Sequence, residues 1–461
     1  MSDNRVLRRR GRATALAAVV LATVAPAPAA AQSDSLDITA ALALARAGSP
    51  VLVAEAARLR GAEGVSATAR AARWPRLSAD ALYLRVQDPP GLALGPLGAI
   101  TPIPQNGYVA RLSFVQPLYA GGRITQAGRA AAFSERAAGL SREQADVELS
   151  AQVAHAHDAV LLARALLGVA EAAAAVLDSS ATVARARFEG GAAARADVLR
   201  AETRVALAQS EVRAAQSVLA ESADRLATAI GVDPASLPPV GGALAPAELS
   251  SDTLASDVLV RAARGARPDV EALGALARAA ESRARAAGGA VRPAVSAYAS
   301  TLATRPELVT GRRRWGTELF GGVIVSWRVF DWGASAGEET TARAEARRAE
   351  AEAALVGDAA AASVLAQLRE LRRAAGDIAA GRANVQRAER ALAIARASYA
   401  DGAAIQLEVL TAEADLTRVR SDLLRAVHAH RSAAVELRRA VGRPSDAPLP
   451  TRTPTPRPED R

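Results

Sequence analysis

Apolar residues occupy every second position in two segments of the chain, which predicts strands with one apolar face. In the first segment, Ala110, Leu112 and Phe114 alternate with Arg111 and Ser113. A period of two is typical of a strand, because successive side chains point to opposite faces of the sheet. Each of these segments has a less regular candidate partner nearby. The four predicted strands cover residues 76–86, 108–119, 294–303 and 317–330.

A long helix is predicted after each pair of strands. No proline occurs from Gly122 to Glu189, and a helix over residues 122–189 would extend about 100 Å at about 1.5 Å per residue. A second helix of equal length is predicted over residues 333–400. Apolar residues recur at every seventh position of this second helix, namely Val364, Leu371, Ile378, Val385 and Leu392. That spacing implies left-handed coiling against neighbouring helices.

The two halves of the chain are copies of each other, 211 positions apart over much of their length. Residues 188–202 read FEGGAAARADVLRAE, and residues 399–413 read YADGAAIQLEVLTAE. The same offset relates Gly122 to Gly333. Self-similarity at a fixed offset predicts two structural repeats. These repeats are predicted over residues 32–251 and 252–443, with return helices at 196–230 and 407–441.

The amino terminus has the features of a secretory signal peptide. Four arginines between Arg8 and Arg12 precede an apolar run from Ala13 to Val24, and small residues follow at Ala29–Ala31. Cleavage is expected after Ala31, which removes residues 1–31. The apolar run is shorter than the roughly 20 residues of a membrane span, and no uninterrupted apolar stretch of about 18 residues follows it. Strands are therefore the elements expected to cross a membrane.

Composition and motifs exclude several classes of function. The chain has no cysteine, so disulfides and cysteine-ligated metals are excluded. The net charge of +9 falls to +5 without the signal peptide, and arginines and acidic residues are interspersed, which argues against a nucleic-acid partner. Neither a GxSxG motif nor a P-loop occurs. The histidines of each pair, 155/157 and 428/430, are two positions apart on a predicted helix. They therefore point to different faces of the helix and are poorly placed to bind one metal ion. We predict no enzyme activity, no catalytic or metal-binding residue and no cofactor.

Four strands are too few to close a barrel, so other copies of the chain must supply the remainder. An unpaired amide or carbonyl in lipid costs several kcal/mol. Two copies would give eight strands, with an interior filled by side chains, whereas three copies give twelve strands and room for a passage. The alternative is a periplasmic coiled-coil adaptor or structural protein without a channel, which would have no use for four half-apolar strands.

The order of these elements resembles that of the TolC family, the outer membrane efflux proteins. The resemblance rests on LDITAALALARAGSP at the mature start, PLYAGG after the second strand and RFEGGAAARADVL at the first helix break. It implies an α+β homotrimer with a twelve-stranded barrel in the outer membrane, continued by a periplasmic coiled-coil barrel. It also implies outer-membrane lipid, a periplasmic adaptor protein and an inner-membrane pump as partners, and the export of drugs, metals or proteins. The Pro-rich residues 444–461 follow the resemblance and are predicted to be disordered.

The resemblance also places functional residues at the two helix breaks. The implied adaptor-docking residues are Gly190, Gly191 and Gly402. The implied gate residues are Glu408, Asp401, Asp197 and Tyr399. In the family, Asp197 and Tyr399 correspond to positions that hydrogen-bond between the two helical hairpins of a subunit.

Two positions of this gate depart from the family pattern. Glu408 stands where the family has the first of two gate aspartates, but Thr411 replaces the second. Ala404 replaces an arginine that ties neighbouring subunits together. The alternative interpretation is that Glu408 and Asp401 are ordinary exposed charges.

Overall fold

The structure is a computed structural model that describes residues 35–87, 92–93, 99–100, 105–249, 254–307 and 314–450. The predicted signal peptide lies outside these residues. The described helices are α1 (Ile38–Gly48), α2 (Pro50–Ala71), α3 (Arg123–Glu189), α4 (Arg195–Ile230), α5 (Ser256–Ala266), α6 (Pro268–Ala287), α7 (Ala334–Ala400) and α8 (Gln406–Val441), with a short 3-10 helix at Pro234–Ser236. The described strands are β1 (Arg76–Arg85), β2 (Leu92–Ala93), β3 (Ala99–Ile100), β4 (Asn106–Ala120), β5 (Ala294–Arg305) and β6 (Gly316–Ser326).

The four longer strands form one antiparallel sheet in the order β1-β4-β5-β6. The short strands β2 and β3 pair with each other between β1 and β4. Because β4 belongs to the first repeat and β5 to the second, the sheet joins the two repeats. Strands β1 and β6 form its edges, and each has a single partner strand within the described part of the chain.

Each repeat has its own apolar core, built from equivalent helices. In the first repeat, α1 and α4 bury Leu42 and Leu226 against α3. In the second, α5 and α8 bury Leu259 and Leu437 against α7. Full burial of such a side chain contributes about 1.5–3 kcal/mol. The buried seventh-position residues of α7 are Val364, Leu371, Ile378 and Leu392.

Two shorter helices stack along each long helix. Helices α2 and α4 both pack on α3, and α6 and α8 both pack on α7. Helices α2 and α4 have 22 and 36 residues against 67 in α3, so the stacked pair nearly spans the length of the long helix. Helices α6 and α8 also contact α3. The described helices therefore form one continuous layer below the sheet.

By length and composition, α3 and α7 each contain a stretch that is apolar enough to cross a membrane. This differs from the sequence-based expectation, which considered only uninterrupted apolar runs. Alanine accounts for the difference, because it raises the mean hydropathy of a stretch that also contains charged residues. Each helix is about 100 Å long, about three times the thickness of a bilayer core.

Strand β6 ends at Ser326, four residues before the predicted end at 330. Ser326 pairs with Ala294, the first residue of β5. Pro293 precedes Ala294 and has no N–H to continue the ladder. Trp327 instead donates its indole N–H to the Val291 carbonyl at 3.0 Å.

The prediction that residues 444–461 are disordered is wrong for residues 444–450. Asp446 pairs with Arg46 at 2.8 Å, and the Ser445 amide donates to the Ser150 hydroxyl at 3.0 Å. Leu449 is buried in the core of the second repeat. Proline content alone predicted disorder, but these contacts tie the segment to both repeats. Residues 451–461 lie outside the described part of the chain.

Candidate functional site at the sheet and the helix breaks

One face of the sheet is largely apolar, with Arg85 and Arg305 only at its end, and the other face carries the remaining charges. Directly opposed residues of antiparallel strands share a face, so the strand register assigns every side chain. The apolar face includes Leu77, Ala79, Ala110, Leu112, Phe114, Ala297, Ala299, Leu319, Val323 and Val325. The polar face includes Arg76, Ser78, Asp80, Arg111, Ser113, Ser296, Ser300 and Glu318. Leu319 is 82% exposed, which an aqueous setting would not favour.

Aromatic side chains flank the apolar face at both ends. At one end, the ring of Tyr108 lies 5.0 Å from Tyr83 and 6.3 Å from Trp315. The exposed aromatic residues at the other end are Trp74, Trp327, Phe330 and Trp332. Two aromatic girdles around an apolar band about 25 Å tall are typical of outer-membrane barrels. The sheet therefore has the pattern of a membrane-spanning wall whose polar face lines the interior.

The two helix breaks have the same backbone geometry. Gly191 and Gly402 both have φ of +75°, a left-handed conformation that glycine adopts without steric strain. The Ala192 amide donates to the Arg187 carbonyl at 2.7 Å, and the Ala403 amide donates to the Ser398 carbonyl at 2.8 Å. Each break thus reverses the chain by a hydrogen-bonded glycine turn. We call α3–α4 the first hairpin and α7–α8 the second hairpin.

The predicted site residues lie at these turns. Gly190, Gly191 and Gly402 are exposed at the hairpin ends. Asp401 caps α7, and Glu408 lies in the first turn of α8. Neither carboxylate has a hydrogen bond or ion pair within the part of the chain that the structure describes.

The family model for outer membrane efflux proteins matches residues 41–232 and 259–443. The chain belongs to the outer membrane efflux protein family. The two matched segments fall within the two repeats. Family membership identifies the chain as an outer-membrane channel for efflux, with helices that extend into the periplasm, and not as an enzyme. The alternative of a periplasmic coiled-coil protein without a channel is wrong.

Solved structures share the fold of this family member. The outer membrane protein VceC from Vibrio cholerae is 23% identical, with a TM-score of 0.73 over 89% of this chain and 97% of VceC. CusC is 19% identical, with a TM-score of 0.76 over 88% of this chain and 92% of CusC. The open state of the MtrE channel from Neisseria gonorrhoeae is 19% identical, with a TM-score of 0.72 over 88% and 89% of the two chains. No protein with a curated description matches the chain.

These comparisons confirm the predicted family and fold class. Four antiparallel strands and long helices arranged in two repeats are present as predicted. At identities below 25%, the solved structures support the fold alone.

The contact between the hairpins differs from the one that the resemblance implied. The Asp197 carboxylate accepts a hydrogen bond from Arg200 at 3.1 Å, within its own helix. The guanidinium of Arg187 lies over the Tyr399 ring, 4.3 Å from its centroid, and donates to the Tyr399 carbonyl at 3.4 Å. Among the described residues, no hydrogen bond joins Asp197 to Tyr399. A cation–π contact therefore connects the two hairpins at this height.

A second contact between the hairpins was also missed. Glu413 of α8 accepts hydrogen bonds from Arg396 of α7 at 3.2 Å and from Ser180 of α3 at 3.3 Å. The duplication offered a signal for the contact between Arg187 and Tyr399. The 211-residue offset makes Tyr399 equivalent to Phe188, which is next to Arg187 in the sequence. Glu413 ends the repeated segment 399–413, but no motif marks Ser180 or indicates that the two residues meet.

Two of the four histidines, His155 and His428, lie where α3 meets α8, and His157 and His430 are buried two positions away from them. His155 is 2.8 Å from the Glu436 carboxylate, and the buried Asp158 accepts from Arg431 at 2.5 Å. In the described residues, no group of three or more histidine, aspartate or glutamate side chains could hold a metal ion. His155 and His428 belong to the interface between the repeats.

We expect acid to destabilise the folded protein through two histidines of α8. Burial lowers the pKa of His428 and of His430 below the usual range of histidine, against a raising contribution at His428 from Asp158. As the pH falls through about 6.5, the unfolded chain binds protons that the folded chain still excludes, so stability decreases towards the lowered pKa values. The temperature of the thermal unfolding midpoint should therefore decrease when the pH is lowered from about 7.5 to about 5.5.

The variant His428→Gln/His430→Gln should show a smaller fall over the same pH interval. Ser421→Ala on the same helix removes only a hydroxyl that donates to the Thr417 carbonyl and no titrating group, so it should keep the full fall. An equal pH dependence in all three proteins would contradict this assignment.

Proposed function

We propose that three copies of the chain form one channel, through which an inner-membrane pump exports its substrates across the outer membrane. The observation that carries this proposal is the four-stranded sheet with two unpaired edges and one exposed apolar face. Pairing β6 of one copy with β1 of the next satisfies both edges in lipid. Twelve strands about 4.8 Å apart, tilted by about 40°, give a barrel about 24 Å across.

The two edges of the helical layer also lack a partner helix within the described part of the chain, as the two edges of the sheet lack a partner strand. Within the chain, α2 and α4 pack on α3 at one side of the layer, and α7 closes the other side. Exposed apolar side chains remain on these edge helices, and they include Val53, Val65, Leu199, Leu207, Leu355 and Ile394. A second copy seated against each edge would bury them. The same threefold closure therefore suits the sheet and the helices.

We propose that the hairpin ends bind a periplasmic adaptor protein that links the channel to the pump. Gly190, Gly191 and Gly402 are exposed and lack side chains, so a partner helix can approach the backbone closely. In a trimer, three hairpin ends of each kind surround one axis. Adaptor docking and gating then share the narrow end of the duct.

We propose that Glu408 and Asp401 narrow this end electrostatically, with Asp197 and Tyr399 shaping the hairpin ends around them. The carboxylates of Glu408 and Asp401 are unpaired within the described chain, so copies facing one another would repel. At about 6 Å and an effective dielectric of about 20, each pair of like charges repels by roughly 3 kcal/mol. Bound cations would offset this repulsion.

The trimer is tested by mass measurement of the purified protein in detergent, followed by reconstitution in planar bilayers. We expect a mass of three chains and a conducting channel from the same preparation. A folded protein that is only monomeric or dimeric would contradict the assembly. A trimer that never conducts would contradict the channel.

A further inference from the structure

Glu413 is a buried carboxylate at the junction of the two hairpins, near their ends. Its side chain is 6% exposed, and both of its hydrogen bonds end on Oε1. The other oxygen, Oε2, is buried and has no hydrogen-bond partner. A buried polar atom without a partner is unfavourable, and more so when it is charged.

The internal duplication supplies a direct comparison for this residue. The 211-residue offset relates Glu413 to Glu202 and Arg396 to Arg185. Arg185 and Glu202 form the same ion pair in the first hairpin, at 2.9 Å, but there the Glu202 side chain is 42% exposed. The ion pair is thus common to both repeats. Burial and the contact with Ser180 of the other hairpin are particular to Glu413.

Among the described residues, the buried apolar clusters near the hairpin ends each lie within a single hairpin. Ala181, Ala184 and Ala201 form one cluster within the first hairpin. Leu392, Val409 and Leu416 form another within the second hairpin. A buried cluster that joins α3 to α8 contains Ala151, Ala154 and Val435, much farther from the breaks.

Two cavities adjoin the contact at Glu413. One, of about 370 Å³, is lined by residues of both hairpins, including Ser180, Val183, Tyr399 and Gln406. The other, of about 340 Å³, is lined by all four helices and by Glu413 itself. Both cavities are partly open to solvent, so the side chains that line them lack some of the dispersion contacts that hold close-packed elements together.

We propose that Glu413 is a positioning residue that keeps the two hairpins of each subunit poised to separate. Ser180 and the Arg187–Tyr399 contact hold the hairpins together, while the half-satisfied carboxylate opposes their closure. When the hairpins part, water reaches Oε2 and compensates for the lost Ser180 hydrogen bond. The two arrangements then differ little in free energy, as an opening equilibrium requires. This inference rests on the proposed channel, whose periplasmic end must open.

The proposal predicts opposite effects from the two sides of one hydrogen bond. Glu413→Gln keeps the side-chain shape and removes the buried charge, which should favour closure and lower the open probability in planar bilayers by about tenfold. Ser180→Ala removes a donor and leaves the carboxylate less satisfied, which should raise the open probability by about tenfold. Glu202→Gln is the matched control from the other repeat and should behave as the wild type.

A distance measurement makes the test independent of conduction. The chain has no cysteine, so spin labels on Ala192→Cys and Ala403→Cys report one position at each hairpin end. Labelled chains diluted into unlabelled trimers give the distance within one subunit. We expect Glu413→Gln to shift the population towards the shorter distance and Ser180→Ala towards the longer one.

An increase in open probability with Glu413→Gln would overturn the proposal, because Glu413 would then only stabilise the contact between the two hairpins. Equal effects of Glu413→Gln and Glu202→Gln would overturn it as well. If the wild-type trimer did not conduct, the proposed channel would fail, but the distance populations would still decide the role of Glu413.

Discussion

Val323→Arg is expected to abolish assembly of the protein in the outer membrane, whereas Ile324→Arg is expected to be tolerated. Val323 pairs with Ala297 on the apolar face, and Ile324 pairs with Ser296 on the polar face. An arginine on the lipid side of a barrel costs up to about 2–4 kcal/mol, the value at the bilayer midplane. Three copies raise the upper limit to about 6–12 kcal/mol per trimer, comparable to the whole stability of many proteins.

The two substitutions are matched, because they place the same side chain at adjacent positions of one strand. The amount of trimer in the outer-membrane fraction, measured without heating the sample, reports assembly. Loss of the trimer in both variants, or its retention in both, would show that the faces of the sheet are wrongly assigned. Reduced conductance of Ile324→Arg trimers would be consistent with a residue that lines the passage.

The long helices were predictable because their signals are local and repeated. The absence of proline and the seven-residue spacing predicted helices over 122–189 and 333–400, and the structure has Arg123–Glu189 and Ala334–Ala400. The glycines at the breaks, with equivalent sequences 211 positions apart, located both turns. Strand alternation located β4 and most of β6. These features depend on the periodic spacing of residues within one helix or strand, and a single sequence shows that spacing directly.

The contacts between hairpins were not predictable, because they depend on how distant helices meet. Ser180 and Glu413 are 233 positions apart, and the repeated segment that ends at Glu413 does not indicate Ser180 as its partner. The exposed Glu202 and the buried Glu413 occupy equivalent positions of two similar segments, 188–202 and 399–413, in which 7 of 15 residues are identical. Their difference in burial arises from contact with the neighbouring hairpin, which the local sequence pattern does not indicate.

The carboxyl-terminal segment shows the same limit. Its proline content favours disorder, but Asp446 pairs with an arginine of α1 and Leu449 enters the core of the second repeat. Tertiary contacts can order a segment that forms neither helix nor strand. The end of β6 followed from the position of Pro293, which became informative only when the register with β5 was known.

Gly191→Val and Gly402→Val are each expected to abolish adaptor-dependent export while trimers persist at normal abundance. Both glycines have φ of +75° and open space around them, so the substitutions act through the backbone rather than through a clash. A residue with a Cβ atom in the left-handed region costs roughly 1–2 kcal/mol, and more when it is β-branched. The turn should therefore rearrange, while the helices that form the duct remain.

Gly168→Val is the matched control for these variants. Gly168 is an exposed residue inside α3, away from both breaks, and an added Cβ would meet no atom within 4 Å. Its backbone is right-handed helical, a conformation that residues with a Cβ atom adopt without strain. Crosslinking to the periplasmic adaptor and export from whole cells should both survive in Gly168→Val and be lost in Gly191→Val and Gly402→Val. Continued export at normal trimer abundance in both Gly191→Val and Gly402→Val would show that the hairpin ends are not the docking surface. The substitutions change the backbone of both turns, and an adaptor that binds these turns could not tolerate that change.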